Sequence, residues 1–304
     1  MEKSKFRFFS RKFWRKTSRV SGYFYLLPAI AVMFFLFLYP VAYAVYISFT
    51  NFNLFHFFKY TFVGFHNYYL ILTSPTFSQL LVNTVIWTVG SLIPMIAIGL
   101  LLALILNQKE IRMKRLFFSL ILVPWAFPAF ISLLVWLGMW NYEYGIINKF
   151  LGLIHVAPLN WLNIPTPAWE ALIITNVWLS FPYYTAIFLS SLQSIPPELY
   201  EVASIDGANM WSRFTRVTLP MLKNAMAFIG ISGFIFTWNN FYPIYLLTGG
   251  GPGTSTDILI VYTYQEAYSF ENYSLSAAYS FISVIILTVM GILMFKYSRI
   301  LEER

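Results

Sequence analysis

The chain has 304 residues, of which 59% are hydrophobic, 20% aromatic and only 11% charged, with no cysteine. That charge content cannot clothe a soluble exterior, so lipid must surround most of the chain, and the missing thiols exclude disulfides, thiolate metal sites and cysteine nucleophiles. The formal net charge of +8 would suit nucleic acid, but the placement of the basic residues points elsewhere.

Uncharged runs mark six spans in chain order. A basic tail, residues 1–22, holds Lys3, Lys5, Arg7, Arg11, Lys12, Arg15, Lys16 and Arg19. Helix one is expected over Tyr23–Phe49, helix two over Gln79–Leu106 and helix three over Leu116–Trp140. Helix four is expected over Ala171–Ile195, helix five over Asn224–Leu247 and helix six over Asn272–Phe295. Each is long enough to cross a bilayer with tilt. Of the 20 Lys and Arg residues, only Lys59 and Lys149 fall in the alternate loops. The remainder lie in the tail, after helix two, after helix four and at the C-terminus, which predicts a cell-membrane protein with both termini cytoplasmic. The tail reads as an orientation signal that also touches anionic lipid, not as a nucleic-acid arm or a cleaved signal peptide.

The outer loops are rich in aromatics and proline, as membrane–water interfaces are. Residues Phe62–Leu72 read as a short amphipathic segment lying on the membrane. The run "TGGGPGTST", Thr248–Thr256, lacks the lysine of a phosphate-binding loop and reads as a tight flexible turn. His56, His66 and His155 have no ligand spacing, so no metal site is expected. Glu170 and Glu266 fall near helix ends, where water is expected to reach them, and no paired carboxylates mark a proton relay. The spans thus carry no energy source of their own.

Two polar stripes stand out within the spans. Asn176, Leu179, Ser180 and Tyr183 in helix four stand at i, i+3, i+4 and i+7, and Gly233, Phe236, Thr237 and Asn240 repeat the spacing in helix five. Each set is expected to share one helical face near mid-membrane, where amides, hydroxyls and aromatic rings suit a sugar. Pro182 and Pro243 are expected to free backbone carbonyls and bend the helices there. The alternative is helix–helix contact, since small polar residues also join membrane helices.

Between helices four and five lies "ELYEVASIDGA", Glu198–Ala208. Pro196 and Pro197 open it, Glu198 complements the helix dipole, and Gly207 permits a turn before a second helical piece ends at Leu219–Pro220. A plain connector needs only a few residues. A helix–glycine–helix element at about 196–220 on the basic side suits a docking knob.

The stretch "EVASIDGANMWSRFTRVTLP" resembles the EAA loop of ABC-importer permeases, with Val202 in place of the first alanine. "LVPWAFPAFISLLVW", "NVWLSFPYYTAIFLSSLQSIPPELYE" and "FTWNNFYPIYLLTGGGP" resemble the maltose-type, first-permease branch of the sugar importers, from about Tyr23 to the C-terminus. The resemblance implies an all-α polytopic membrane protein with the six-helix fold of type I importers. It implies a coupling role for the loop, with Glu201, Ala203, Asp206, Gly207, Leu219 and Pro220 at the motif positions. It also implies that the eight stripe residues hold sugar, although Ser180, Gly233 and Thr237 differ in type from the maltose pattern. The implied partners are a second permease, two ATPase subunits that bind ATP and Mg, and an extracytoplasmic solute-binding protein, with no cofactor on this chain. Two other readings stay open: a permease for a non-sugar solute such as glycerol phosphate or an amino acid, and an intramembrane enzyme.

Overall fold

The computed structural model describes residues 25–108 and 110–302, and side chains as far as residue 296. The basic tail, Lys109, the Arg299 side chain and Arg304 lie outside the described residues. Among the described residues the chain is helical, with one isolated antiparallel bridge between Thr50 and Phe62. Among the described residues, four helices are long and apolar enough to cross a membrane alone: α1 (Tyr25–Ser48), α3 (Pro75–Asn107), α7 (Pro165–Gln193) and α13 (Tyr273–Glu302, apolar over Tyr273–Lys296). Two bent pairs bring the number to 6 if each is one span. Short helices α2 (His66–Thr73) and α6 (Ile146–Leu153) lie in the connections.

The first bent pair corrects the single helix expected over Leu116–Trp140. Helix α4 (Lys114–Ala126) and helix α5 (Ala129–Met139) meet at 86°. Pro128 has no N–H to continue the ladder, and its ring forces Phe127 into an extended conformation, φ −79° and ψ 147°. The span over Asn224–Leu247 is likewise interrupted. Helix α10 (Lys223–Trp238) stops at Asn239, Asn240 leaves helical geometry at φ −80° and ψ 88°, and α11 (Phe241–Leu247) resumes with Pro243 in its first turn. Pro243 cannot donate to the carbonyl of Asn239, which removes one reason to stay helical there.

Helix α3 is the post of the fold. Ser74 caps it, its hydroxyl accepting from the Phe77 amide at 3.1 Å. Its apolar surface packs on α7, where Gly99 admits the backbone of Thr185; a Cβ there would lie 3.0 Å from the Thr185 nitrogen. Three of its buried residues hold other elements. Asn83 Nδ2 donates to the Asp257 carbonyl at 2.9 Å, Thr84 Oγ1 accepts from the Leu259 amide at 2.9 Å, and Trp87 Nε1 donates to the Thr237 carbonyl at 2.9 Å. Buried polar groups in lipid are costly unless paired, so these bonds fix where the loop after α11 can go.

That loop is not the flexible turn expected over Thr248–Thr256. Gln265 holds the Gly249 carbonyl at 3.0 Å, Thr256 donates its amide to Gly250 at 3.0 Å, and Trp169 holds the Ser255 carbonyl at 3.2 Å. Gly250 has φ +89°, and a Cβ on it would lie within 2.8 Å of the Asp257 carboxylate. The glycine is needed both for that backbone and for the buried acid beside it. A helix that the sequence did not announce, α12 (Leu259–Tyr268), follows. Glu266 lies within it and is buried, correcting the expectation that water reaches it. The segment Phe62–Leu72 is also more than a surface strip. Helix α2 begins at His66, its Asn67 donates to the carbonyls of Ser48 and Thr50 at 2.8 Å each, and Ile71 packs with Phe77 and Leu80.

Candidate functional site

A cavity of about 290 Å³ opens where the two helix breaks face the middle of α7. Trp125 and Phe127 reach it from the α4–α5 break, Asn176, Leu179 and Ser180 from α7, and Asn240 and Tyr242 from the α10–α11 break. Asn240 Nδ2 donates to Asn176 Oδ1 at 2.9 Å. Asn176 is fully buried, and its own Nδ2 has no hydrogen-bond partner in the protein. Among the described residues the lining carries no charged side chain. Pro182, buried in α7, lacks the N–H that the Trp178 carbonyl would otherwise receive. The cavity therefore offers the part-exposed Asn240 amide, the Ser180 hydroxyl and aromatic rings, a set that matches a neutral, hydroxylated ligand better than an ion.

Only part of each predicted stripe reaches this space. Asn176, Leu179, Ser180 and Asn240 line it. Tyr183 stands behind Trp125, with ring centroids 6.0 Å apart. Gly233 faces α3 and α7; a Cβ there would lie 2.6 Å from Leu92 Cδ1 and 2.7 Å from the Tyr184 hydroxyl. Thr237 is buried, with its carbonyl held by Trp87. Phe236 is 69% exposed on the outside of the chain. The second stripe is not one continuous face, because the break at Asn239 and Asn240 takes its last member off the register of α10. Trp125, Phe127 and Tyr242 were missed by the stripe argument. The paired prolines of "PWAFP" were the available signal, since prolines four residues apart announce a bend and thus an inward-facing rim.

The loop between α7 and α10 folds as a compact knob. Helix α8 (Pro197–Ile205) ends in a left-handed turn at Gly207, φ +76°, with the Ala208 amide bonded back to the Ala203 carbonyl at 2.9 Å. This is a Schellman-type stop, which glycine enters without strain. Asn209 caps helix α9 (Met210–Met221) by accepting from the Ser212 amide at 2.8 Å. Arg213 Nε returns to the Ala208 carbonyl at 2.9 Å, and Tyr200 meets Thr218 at 3.1 Å, so the two short helices are clamped together. Pro220 lies just after a π-helical stretch, Phe214–Thr218, and α9 then meets the next helix at 63°. Glu201, Asp206 and Gly207 are exposed, Ala203 and Leu219 are half-buried, and Pro220 is exposed. Beside them project three large apolar side chains that the motif positions do not include: Ile205 at 86% exposure, Met210 at 83% and Trp211 at 72%. An exposed apolar cluster on a rigid polar element is the usual composition of a docking surface.

Comparison with known proteins agrees with this architecture. Residues 95–304 match the family described as "Binding-protein-dependent transport system inner membrane component". The galactooligosaccharides transport system permease protein GanP of Bacillus subtilis is 35% identical over 298 residues, covering 93% of this chain and 71% of that protein. The maltodextrin permease MalC of Streptococcus pneumoniae is 38% identical over 296 residues, covering 90% of this chain and 68% of the relative. The trehalose/maltose permease MalF of Thermococcus litoralis is 35% identical over 278 residues, covering 91% and 93%. Among solved structures, a bacterial ABC transporter that imports alginate superposes with a TM-score of 0.81, over 95% of this chain and 98% of that one, at 22% identity. The chain belongs to the family of binding-protein-dependent transport system inner membrane components.

Proposed function

We propose that this chain is the permease subunit of an ATP-driven importer for a neutral sugar or oligosaccharide, and that the cavity holds the sugar in transit. The observation that carries the reading is the Asn176–Asn240 pair, which sets the part-exposed Asn240 amide donor in an uncharged, aromatic-lined cavity. Sugar hydroxyls accept from such a donor, and the apolar face of a pyranose packs on rings such as Trp125 and Tyr242. The names of the relatives, which cover galactooligosaccharides, maltodextrin and trehalose/maltose, support the same class. A glycerol phosphate or an amino acid would bring charge that no lining residue answers.

The basic residues of the knob and of the α3–α4 connection support a cytoplasmic side for both, by the positive-inside rule. There the knob seats in an ATPase subunit. A second permease completes the pathway, the second ATPase subunit seats on it, and a solute-binding protein delivers sugar from the other side. The alginate transporter has been solved with such a periplasmic protein. Closure of the ATPases on ATP shifts the clamped knob as a rigid body and re-aims the helices around the cavity.

The test is uptake by purified, assembled complex carrying Asn240→Ala. Loss of the Asn240 donor leaves Asn176 with both amide atoms unpaired, and one to two such groups cost about 1–3 kcal/mol each. Apparent sugar affinity is expected to fall by about tenfold or more, with assembly and basal ATP hydrolysis intact. Unchanged affinity and rate would assign the pair to helix packing and overturn the reading.

A further inference from the structure

The break after α10 gathers two donors on one oxygen. In a continuous helix the Thr237 carbonyl would receive the amide of Phe241, four residues on. Here the Asn240 amide turns back to that carbonyl at 3.1 Å, and Trp87 Nε1 donates to the same oxygen at 2.9 Å. A carbonyl oxygen offers two lone pairs, so this one is fully used. Asn240 is thereby held at both ends. Its backbone nitrogen is anchored on the oxygen that Trp87 grips, and its Nδ2 donates to Asn176 Oδ1 in the cavity at 2.9 Å.

Trp87 itself lies outside the lining. It is fully buried in α3 and belongs to one apolar cluster with Leu172 and Leu179 of α7 and Ile244 of α11. A buried indole N–H needs an acceptor somewhere. The buried Trp140 and Trp238 find theirs in hydroxyls, Thr175 Oγ1 at 2.9 Å and Ser283 Oγ at 3.0 Å. Trp87 instead takes a carbonyl at the helix end from which the Asn240 turn starts. That turn, at φ −80° and ψ 88°, has no helical ladder of its own, so few bonds decide where its side chain points. Without the indole, the buried Thr237 carbonyl loses one of its two partners. It recovers one if the helix rewinds and delivers the Phe241 amide. Rewinding returns Asn240 to the register of Gly233 and Thr237, the face turned toward α3, and takes its amide off Asn176.

We propose that Trp87 is a positioning residue for sugar binding: its indole N–H, acting through the Thr237 carbonyl, holds open the break that aims Asn240 into the cavity. The proposal rests on the sugar reading above and extends the site to a residue that never touches the ligand.

The experiment measures uptake by the complete complex in vesicles, with the solute-binding protein at fixed concentration. The probe is whichever of maltose, maltotriose, trehalose and galactooligosaccharides the unaltered complex takes up fastest. Trp87→Phe keeps a ring in the core and removes the donor. Its apparent KM is expected to rise by about fivefold, the loss of one hydrogen bond, while the rate at saturating sugar stays within about twofold. Benzothienylalanine at position 87, which keeps the indole shape with sulfur in place of N–H, is expected to give the same rise, and it carries the test if the phenylalanine variant fails to assemble. Leu172→Ala opens the same cluster without touching the Thr237 carbonyl, and is expected to lower the melting temperature with KM unchanged. In the Asn240→Ala background, Trp87→Phe is expected to add nothing further to KM, because its effect runs through Asn240. An unchanged KM in both position-87 variants, an equal rise with and without Asn240, or the same rise in Leu172→Ala overturns the positioning role and leaves the cavity reading standing. An unchanged KM in Asn240→Ala, or no uptake of any probe sugar by the unaltered complex, overturns both.

Discussion

The knob and the cavity are built in opposite ways. The knob is one contiguous stretch, folded by bonds between residues a few positions apart: Ala208 to Ala203, Ser212 to Asn209, Arg213 to Ala208. The cavity draws on two interrupted spans and α7, and its central contact joins residues 64 positions apart. A local element fails when its backbone cannot adopt the required turn. An assembled one fails when a side chain that reaches across is lost.

The knob is expected to break at Gly207. A valine at φ +76° must enter the left-handed region, at a penalty of roughly 1–2 kcal/mol, and the Schellman-type stop that orients the two helices is lost. Space is not the obstacle, since a Cβ there meets nothing within 4 Å. Gly207→Val is therefore expected to abolish sugar-stimulated ATP hydrolysis by the inserted complex, whereas Gly207→Asn, which tolerates the left-handed region, retains most of it. Equal activity in both variants would remove the backbone argument.

The cavity is expected to respond to side chains instead. Asn176→Leu keeps the branched side-chain shape but strands the Asn240 donor, and a stranded donor costs about 1–3 kcal/mol. Sugar affinity measured by transport is expected to drop by about tenfold, with the ATPase still responding to saturating sugar. A complete loss of ATP coupling would show that the two regions are less separable than their construction suggests.

Gly233→Ala sharpens the division within the predicted stripe. The added methyl meets Leu92 and Tyr184 at under 3 Å, and overpacking of this kind costs about 1–3 kcal/mol. A melting temperature a few degrees lower, with unchanged sugar affinity, is expected from the detergent-solubilised complex. An affinity change without destabilisation would return Gly233 to the binding surface.

A separate test concerns Asp257, in the loop outside the spans. Burial pushes its carboxyl up to about 7. Its folded value lies above the ordinary 3.8 of the unfolded chain, so the folded state binds the extra proton between those limits. The stability difference is absent below pH 4, grows against the fold as pH rises to about 7, and is constant above that. Asp257→Asn carries no charge, so its melting temperature relative to the parent is expected to be higher at pH 8 than at pH 5. A difference that does not vary with pH would mean that the buried carboxyl titrates normally.

Composition and the uncharged apolar runs were enough to mark a helical membrane protein, and the resemblance to its family was carried by short motifs such as EVASIDGANMWSRFTRVTLP. The knob was legible for the same reason it is compact: Pro196, Gly207 and Pro220 act on their own neighbours, so their meaning is present in the string. Asn176 and Asn240 stood out in the string, because amides are conspicuous in apolar runs, and the structure brings the two together at the cavity. What the string did not contain was the partner of each span. A helical wheel assigned Gly233 and Thr237 to the same face as Asn240, yet Leu92, Trp87 and Tyr184 claim the first two, and the break at Asn239 turns the third toward α7. The loop after α11 looked loose until Asn83, Trp169 and Gln265 supplied its bonds from distant elements. Periodicity reports which residues share a face. Only packing against other helices determines whether that face meets lipid, protein or the cavity, because an apolar or small polar side chain is compatible with all three until its neighbour is in place.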